Sequence, residues 1–176
     1  MATRTQADVA ASASAGDDIA FRRIIALHHE EMRRVCAYIA GDLAIAEEAT
    51  QAAWVIAWKR MSDVSEPKHL RPWLVRVAAN EAKQLLRHRS TRTKYEISTG
   101  ASQEAGGRDP ATGVTGMDLR EAISRLDPDD RALIAMRYVA GFDSNELGIA
   151  TGKSPAAVRQ RLKRLLDRLR EDLTDD

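Results

Sequence analysis

Four side chains near the carboxyl end, Arg159, Gln160, Lys163 and Arg164, have the types and the spacing to read the edges of base pairs. A guanidinium donates two parallel hydrogen bonds to guanine, and a glutamine amide pairs in the same way with adenine. Val158, Leu162, Leu165, Leu166 and Leu169 recur among them at core spacing, so an amphipathic helix beginning at Pro155 would bury the leucines and present the polar four. Lys153 and Ser154 fall just ahead of it, where a helix amino end approaches phosphate. Upstream, Asp143 and Glu146 have capping-box spacing for a short helix to about Thr151, and Gly152 can stop it. Two short helices about a glycine turn spell helix-turn-helix. Helical hairpins of this kind also occur as plain packing units, so the turn needs support from charge.

A second constellation lies in "RPWLVRVAANEAKQLLRHR", which puts Arg71, Trp73, Arg76, Asn80, Lys83 and Arg87 on one helix. A ring can stack on an exposed base while cations follow the phosphates, which suits single-stranded nucleic acid. Trp73 taken alone is more often a core anchor than a stacking platform. The net charge of +1 conceals a segregation: seven bases stand against Glu81 alone between Arg71 and Lys94, and seven against Asp167 alone between Lys153 and Arg170. Two basic stretches on a neutral chain point to two contacts with one polyanion.

Other chemistries find little support. With one cysteine, Cys36, an internal disulfide is excluded, and the histidines at 28, 29, 69 and 88 have no metal-ligand spacing with it. Ser, His and Asp form no recognisable triad, so neither a catalytic residue nor a metal or other cofactor is expected. No apolar run approaches the roughly 18 residues of a membrane span, and the start lacks a signal peptide's apolar stretch; a cytoplasmic location without membrane insertion is expected.

The elements that must position these residues are helical. Ala, Leu, Arg and Glu dominate, aromatics make up 5%, and alternating β-branched runs are scarce, so the expected class is all-α, two small helical domains joined by a flexible linker. Residues 1–16, nearly free of large apolar side chains, read as a disordered tail. Asp17 or Asp18 caps a helix with Phe21, Ile24, Ile25, His28, Met32, Val35 and Ile39 inward and Gly41 at its end. Asp42 caps a second, whose narrow stripe of Ile45, Ala49, Ala53, Ile56 and Ala57 permits close packing. Pro72 suits the first residue of a third, with Leu74, Val77, Ala78, Ala82 and Leu85 inward. This gives a domain over 17–92. Residues 93–116, rich in Gly, Ser, Thr and Ala, read as the linker, and 117–176 as the helix-turn-helix domain, in which Asp127 caps a helix opened by Pro128.

From about Phe21 to Leu173 the sequence resembles the bacterial sigma factors of RNA polymerase, specifically the short extracytoplasmic-function (ECF) group. "AEEATQAAW" stands at the place of that family's acidic-Gln-aromatic segment, "RPWLVRVAANEAKQLLRHR" resembles its promoter-melting helix, and residues 120–171 resemble its upstream-element-binding domain. The chain departs from the pattern at Ala49, Thr50 and Ala52 in the first segment and at Gly148 and Ala157 near the recognition helix. The resemblance implies core RNA polymerase and promoter DNA as partners, with an anti-sigma factor as a further one. It implies melting by Arg71, Trp73, Arg76, Asn80 and Lys83, and upstream recognition by Lys153, Ser154, Arg159, Gln160, Lys163 and Arg164. Polymerase would be held by Glu48, Gln51 and Trp54, with Trp54 on the outer face opposite the Ala-rich stripe. Two rivals stay open at this point: a helix-turn-helix regulator acting without core polymerase, and a sigma-mimic adaptor. The linker would tether two weak DNA contacts and let the domains collapse on each other or around an anti-sigma protein, hiding both basic faces.

Overall fold

The computed structural model describes residues 6–64, 66–98 and 114–174, and these are helices and turns with no strand among them. In chain order they are α1 (Gln6–Ser14), α2 (Asp18–Ala40), α3 (Leu43–Arg60), two 3-10 turns (Met61–Asp63 and Pro67–His69), α4 (Leu70–Ser98), α5 (Val114–Arg125), α6 (Pro128–Tyr138), α7 (Ser144–Thr151) and α8 (Pro155–Thr174). The helix starts follow local chemistry. Carboxylates of Asp17, Asp42, Asp127 and Asp143 each accept two backbone N–H groups that the first turn would leave unsatisfied. Gly41 and Gly152 end α2 and α7 in the left-handed region, which costs a residue without Cβ nothing.

In the first unit α2, α3 and α4 pack pairwise. Ile24, Met32, Val35 and Ile39 of α2 meet Ala46, Ala49, Ala53 and Ala57 of α3 and Leu74, Val75, Ala78 and Ala82 of α4, all essentially inaccessible to solvent. The alanines bring the helices close enough that the Cys36 thiol donates to the Ala78 carbonyl at 3.4 Å. Burial pushes that thiol up to about 11, so it is protonated and unreactive at neutral pH. α4 begins at Leu70, two residues before Pro72, which still lies in the first turn where its missing N–H is harmless.

Two boundaries differ from expectation. The disordered tail expected over 1–16 is overturned for Gln6–Ser14, which form α1; residues 1–5 lie outside the described residues. α1 has little apolar surface of its own, but Val9 and Ala13, one turn apart, are buried as it packs on α2 and both 3-10 turns, and Ser14 Oγ donates to the Met61 carbonyl. α4 runs to Ser98 and α5 begins at Val114, so helix enters both ends of the linker expected over 93–116. The first continuation meets neither Gly nor Pro before Gly100. Residues 99–113 lie outside the described residues.

The second unit closes over Leu133, Phe142, Leu147, Val158, Leu162, Leu165 and Leu169. It docks on the first: α6 against α2 and α4, and α7 against α4.

Candidate nucleic-acid interface

The six residues expected to read duplex DNA are all exposed, around the start and along one side of α8. Ser154 caps that helix, its Oγ accepting from Ala157 N–H at 3.2 Å. At 100° per residue, Arg159, Gln160, Lys163 and Arg164 sweep about 140° of its circumference, and Val158, Leu162, Leu165 and Leu169 face the core. The turn before α8 is tight. A Cβ on Gly148 would lie 2.9 Å from the Lys153 carbonyl oxygen, and Lys153 N–H donates back to the Gly148 carbonyl. That close approach accounts for a residue without Cβ at 148, one of the positions where the chain departs from the family pattern.

Arg161, inside this stretch but absent from the expected set, turns away from the reading face. Its Nε and Nη2 donate to Asp130 Oδ1 at 2.9 and 2.6 Å, and Asp130 is buried. Arg168 stands 3.8 Å from the other oxygen of the same carboxylate.

The melting set is dispersed over α4. Trp73, Arg76, Asn80 and Lys83 fall within about 80° of one another round the helix, but Arg71 is about 160° from Trp73. Trp73 is buried, which makes it an anchor rather than a ring free to stack as the chain stands. Arg76 is half-buried and Asn80 exposed. Lys83 Nζ donates to Asp129 of the second unit at 2.7 Å. Arg71 is more deeply committed: it pairs with Glu31 of α2 at 2.6 Å and Glu146 of α7 at 2.8 Å, donates to the Ala140 carbonyl and lies 4.6 Å from the Phe142 ring centre. Burial alone would raise the Glu31 carboxyl, but the neighbouring His28 imidazole and the hydrogen bonds from Arg71 outweigh it and hold the group below the usual range. Arg89, farther along, is paired with the α3 cap Asp42 at 2.6 Å. The collapse therefore hides less than the tether argument expects: it engages Arg71 and Lys83 but leaves the α8 face in solvent.

Placement of Trp54 on the outer face is corrected by the structure. It is 8% exposed, its Nε1 donates to His29 Nδ1 at 3.1 Å, and its ring meets Phe21 edge to face at 5.8 Å. Glu48 and Gln51 are exposed as expected. The tryptophan on their side of α3 is Trp58, 46% exposed beside the still more exposed Val55, and sequence reasoning passed over both. The 100° period could have suggested them, because positions 48, 51, 55 and 58 fall within about 80° of each other.

Among the described residues no group of three or more His, Cys, Asp or Glu side chains is placed to hold a metal ion, and no helix is long and apolar enough to cross a membrane. The arrangement is one of cationic and amide donors on two helical units, suited to contacting a polyanion.

Comparison with known proteins agrees with this geometry. The family description "Sigma-70 region 2" matches residues 24–92, and "Sigma-70, region 4" matches residues 116–169. The RNA polymerase sigma factor CarQ of Myxococcus xanthus is 29% identical over 89% of this chain and 90% of its own length. A probable RNA polymerase sigma factor, RfaY of Xanthomonas campestris, is also 29% identical over 92% of this chain, which spans only 42% of that protein. The ECF RNA polymerase sigma factor BldN of Streptomyces coelicolor is 26% identical over 93% of the chain and 64% of its own length. The fold is shared with CnrH, solved with the cytosolic domain of CnrY (TM-score 0.69, 24% identity, 96% of both chains). It is shared too with the sigma factor RpoE of Bartonella quintana, solved with the anti-sigma factor NepR (TM-score 0.68, 23% identity, 89% of this chain and 98% of that one). With one unit matched to region 2, the other to region 4, and ECF proteins among the relatives, the chain belongs to the sigma-70 family of RNA polymerase sigma factors, in its ECF group.

Proposed function

We propose that this sigma factor directs core RNA polymerase to promoters through three faces, each built on a different helix. The α8 face of Arg159, Gln160, Lys163 and Arg164, with Lys153 and Ser154 at the phosphates, reads the upstream duplex element. On α4, Arg76, Asn80 and Lys83, over the buried anchor Trp73, hold the opened strand, and Arg71, on the opposite side of the helix, adds a separate phosphate contact once released from Glu31 and Glu146. Glu48 and Gln51 of α3 hold polymerase, with Trp54 supporting that face from within and Val55 and Trp58 extending it. Residues 17–92 then form the polymerase and melting domain and residues 117–176 the duplex-reading domain. Sigma factors are regulatory proteins, so catalysis is left to the polymerase, inside the cell where polymerase works. An anti-sigma factor as a further partner is supported by the complex in which the RpoE relative was solved.

The observation that carries this reading is the exposure of all six upstream-reading residues around a helix-turn-helix whose core leucines face the other way. Transcription reconstituted from the purified chain and core polymerase on a genomic promoter pool tests it. A defined promoter subset should be transcribed only when both are present. Tight, specific operator binding by the chain alone, unimproved by polymerase, would favour a free-standing regulator, and the absence of promoter-specific transcription an adaptor.

A further inference from the structure

We propose that Asp130 is a positioning residue for DNA recognition: it holds Arg161 and Arg168 of α8 away from the duplex and fixes the rotation in which the four reading side chains meet it. This rests on the reading of α8 as the duplex-contacting helix. Asp130 sits in the first turn of α6, where its own N–H is bound to the carboxylate of the cap, Asp127, at 2.9 Å. Its carboxylate is one of the few buried polar groups of the described residues, with two basic residues of α8 drawn to it, Arg161 by two short hydrogen bonds and Arg168 at 3.8 Å. Positions 161 and 168 are two turns apart on one flank of α8, about 120° round from the middle of the reading face.

A buried carboxylate left unpaired is strongly destabilising, so Asp130 keeps a partner, and the one held by short bonds, Arg161, sets how α8 lies on α6. The same pairing also limits non-specific attraction to DNA. Long basic side chains free to follow phosphates raise affinity for every sequence alike, and each added phosphate contact steepens the fall of log K with log salt by about 0.9. Of the seven cations of the second basic stretch, Arg161 is hydrogen-bonded to Asp130 and withheld from that indiscriminate attraction, and Arg168, 3.8 Å from the same carboxylate, is drawn toward it.

The test uses holoenzyme assembled from the full chain and core polymerase. Its templates are promoter fragments whose upstream element was selected from a randomised pool by the wild-type holoenzyme, or the same fragments with that element scrambled. Asp130→Asn keeps the shape of the side chain and the backbone bond to Asp127. It should lower the preference for selected over scrambled element by about tenfold, the worth of roughly one base contact, and steepen the salt slope by about one for each guanidinium freed. Equal losses on both templates with an unchanged salt slope would reduce Asp130 to a structural residue and overturn the proposal. If Asp130→Asn fails to fold, Arg161→Gln decides: the preference should fall with the salt slope unchanged. A slope shallower by about one, with equal losses on both templates, would make Arg161 an ordinary phosphate contact and overturn the proposal just as well. Arg159→Ala in the same assay separates the two levels, because an unchanged preference there would sink the reading of α8 itself.

Discussion

Arg71 of α4 reaches Glu146 of α7 at 2.8 Å, and the same guanidinium pairs with Glu31 of α2 at 2.6 Å. One cation of the first unit thus joins a carboxylate of its own unit to one of the second. Glu146 has two duties here, since its other oxygen accepts the Asp143 N–H in the capping box of α7. The ion pairs of the docked form, unlike the packing of α6 and α7 beside them, are contacts that a phosphate backbone could replace.

Glu146→Gln should loosen this docking without unwinding α7, because glutamine serves a capping box as well as glutamate does. Both side chains are about one-third exposed, so the pair contributes on the order of 1 kcal/mol. Small-angle scattering of the free chain should show a larger radius of gyration for the variant, and a double-mutant cycle with Arg71→Gln a coupling of that size. An unchanged scattering profile would place the docking energy in the packing of α6 and α7 instead.

Strand opening should depend on Asn80 and Lys83 separately from promoter binding. Holoenzymes carrying Asn80→Ala or Lys83→Ala should bind a duplex promoter but show weaker permanganate reactivity at thymines of the opened region. Asp129→Asn, which releases Lys83 from its 2.7 Å partner, should leave that reactivity intact or raise it. Normal opening by both alanine variants would move melting to other residues.

The two neighbouring tryptophans of α3 should separate stability from polymerase binding. Trp54→Ala removes a buried ring and its bond to His29, at a cost of about 3 to 5 kcal/mol in unfolding free energy. Trp58→Ala, which removes a half-exposed ring edge-on to Phe21 at 4.8 Å, should destabilise less than Trp54→Ala and bind core polymerase at least about tenfold more weakly, as a truncated interface tryptophan commonly does. Equal affinity for polymerase would remove Trp58 from that face.

Gly148→Ala sets two effects against each other. Alanine favours helix by about 1 kcal/mol over glycine, and overpacking costs about 1 to 3 kcal/mol. The new methyl meets backbone, the Lys153 carbonyl at 2.9 Å, rather than a side chain that could swing aside. The overpacking should win, lowering the melting temperature and weakening upstream-element binding as Lys153 and Ser154 shift. A rise in melting temperature would show that the turn relaxes freely.

Acidification should weaken the fold partly through Glu31. Its carboxyl is held below its ordinary value of 4.5, so the stability it contributes is fully present above that pH and is lost as pH falls through the lower folded value. Thermal unfolding followed from pH 7 down to pH 3 should fall less steeply below about pH 4.5 in Glu31→Gln than in the wild type. Identical slopes would assign acid lability to other carboxylates.

What was legible in the sequence was local. Asp17, Asp42, Asp127 and Asp143 cap the helices they precede, and Gly41 and Gly152 end the ones they follow, because a cap or a left-handed turn is decided within four or five residues. The helix-turn-helix and the exposed polar face of α8 follow from that same short-range chemistry plus a 3.6-residue period. Tertiary structure alone decided the rest. Trp54 and Trp58 lie only about 40° apart on α3; Phe21 of another helix touches both rings, and the one that also finds a polar partner, His29, is the one that is buried. α1 carries too little apolar surface to announce itself and is held by the surface it covers. Arg71 reads as a strand contact and Arg161 as one cation among many until Glu146, 75 residues away, and Asp130, 31 residues away, are brought within hydrogen-bonding distance. Periodicity shows which way a side chain leans from its own helix; only packing in three dimensions supplies the partner that it meets.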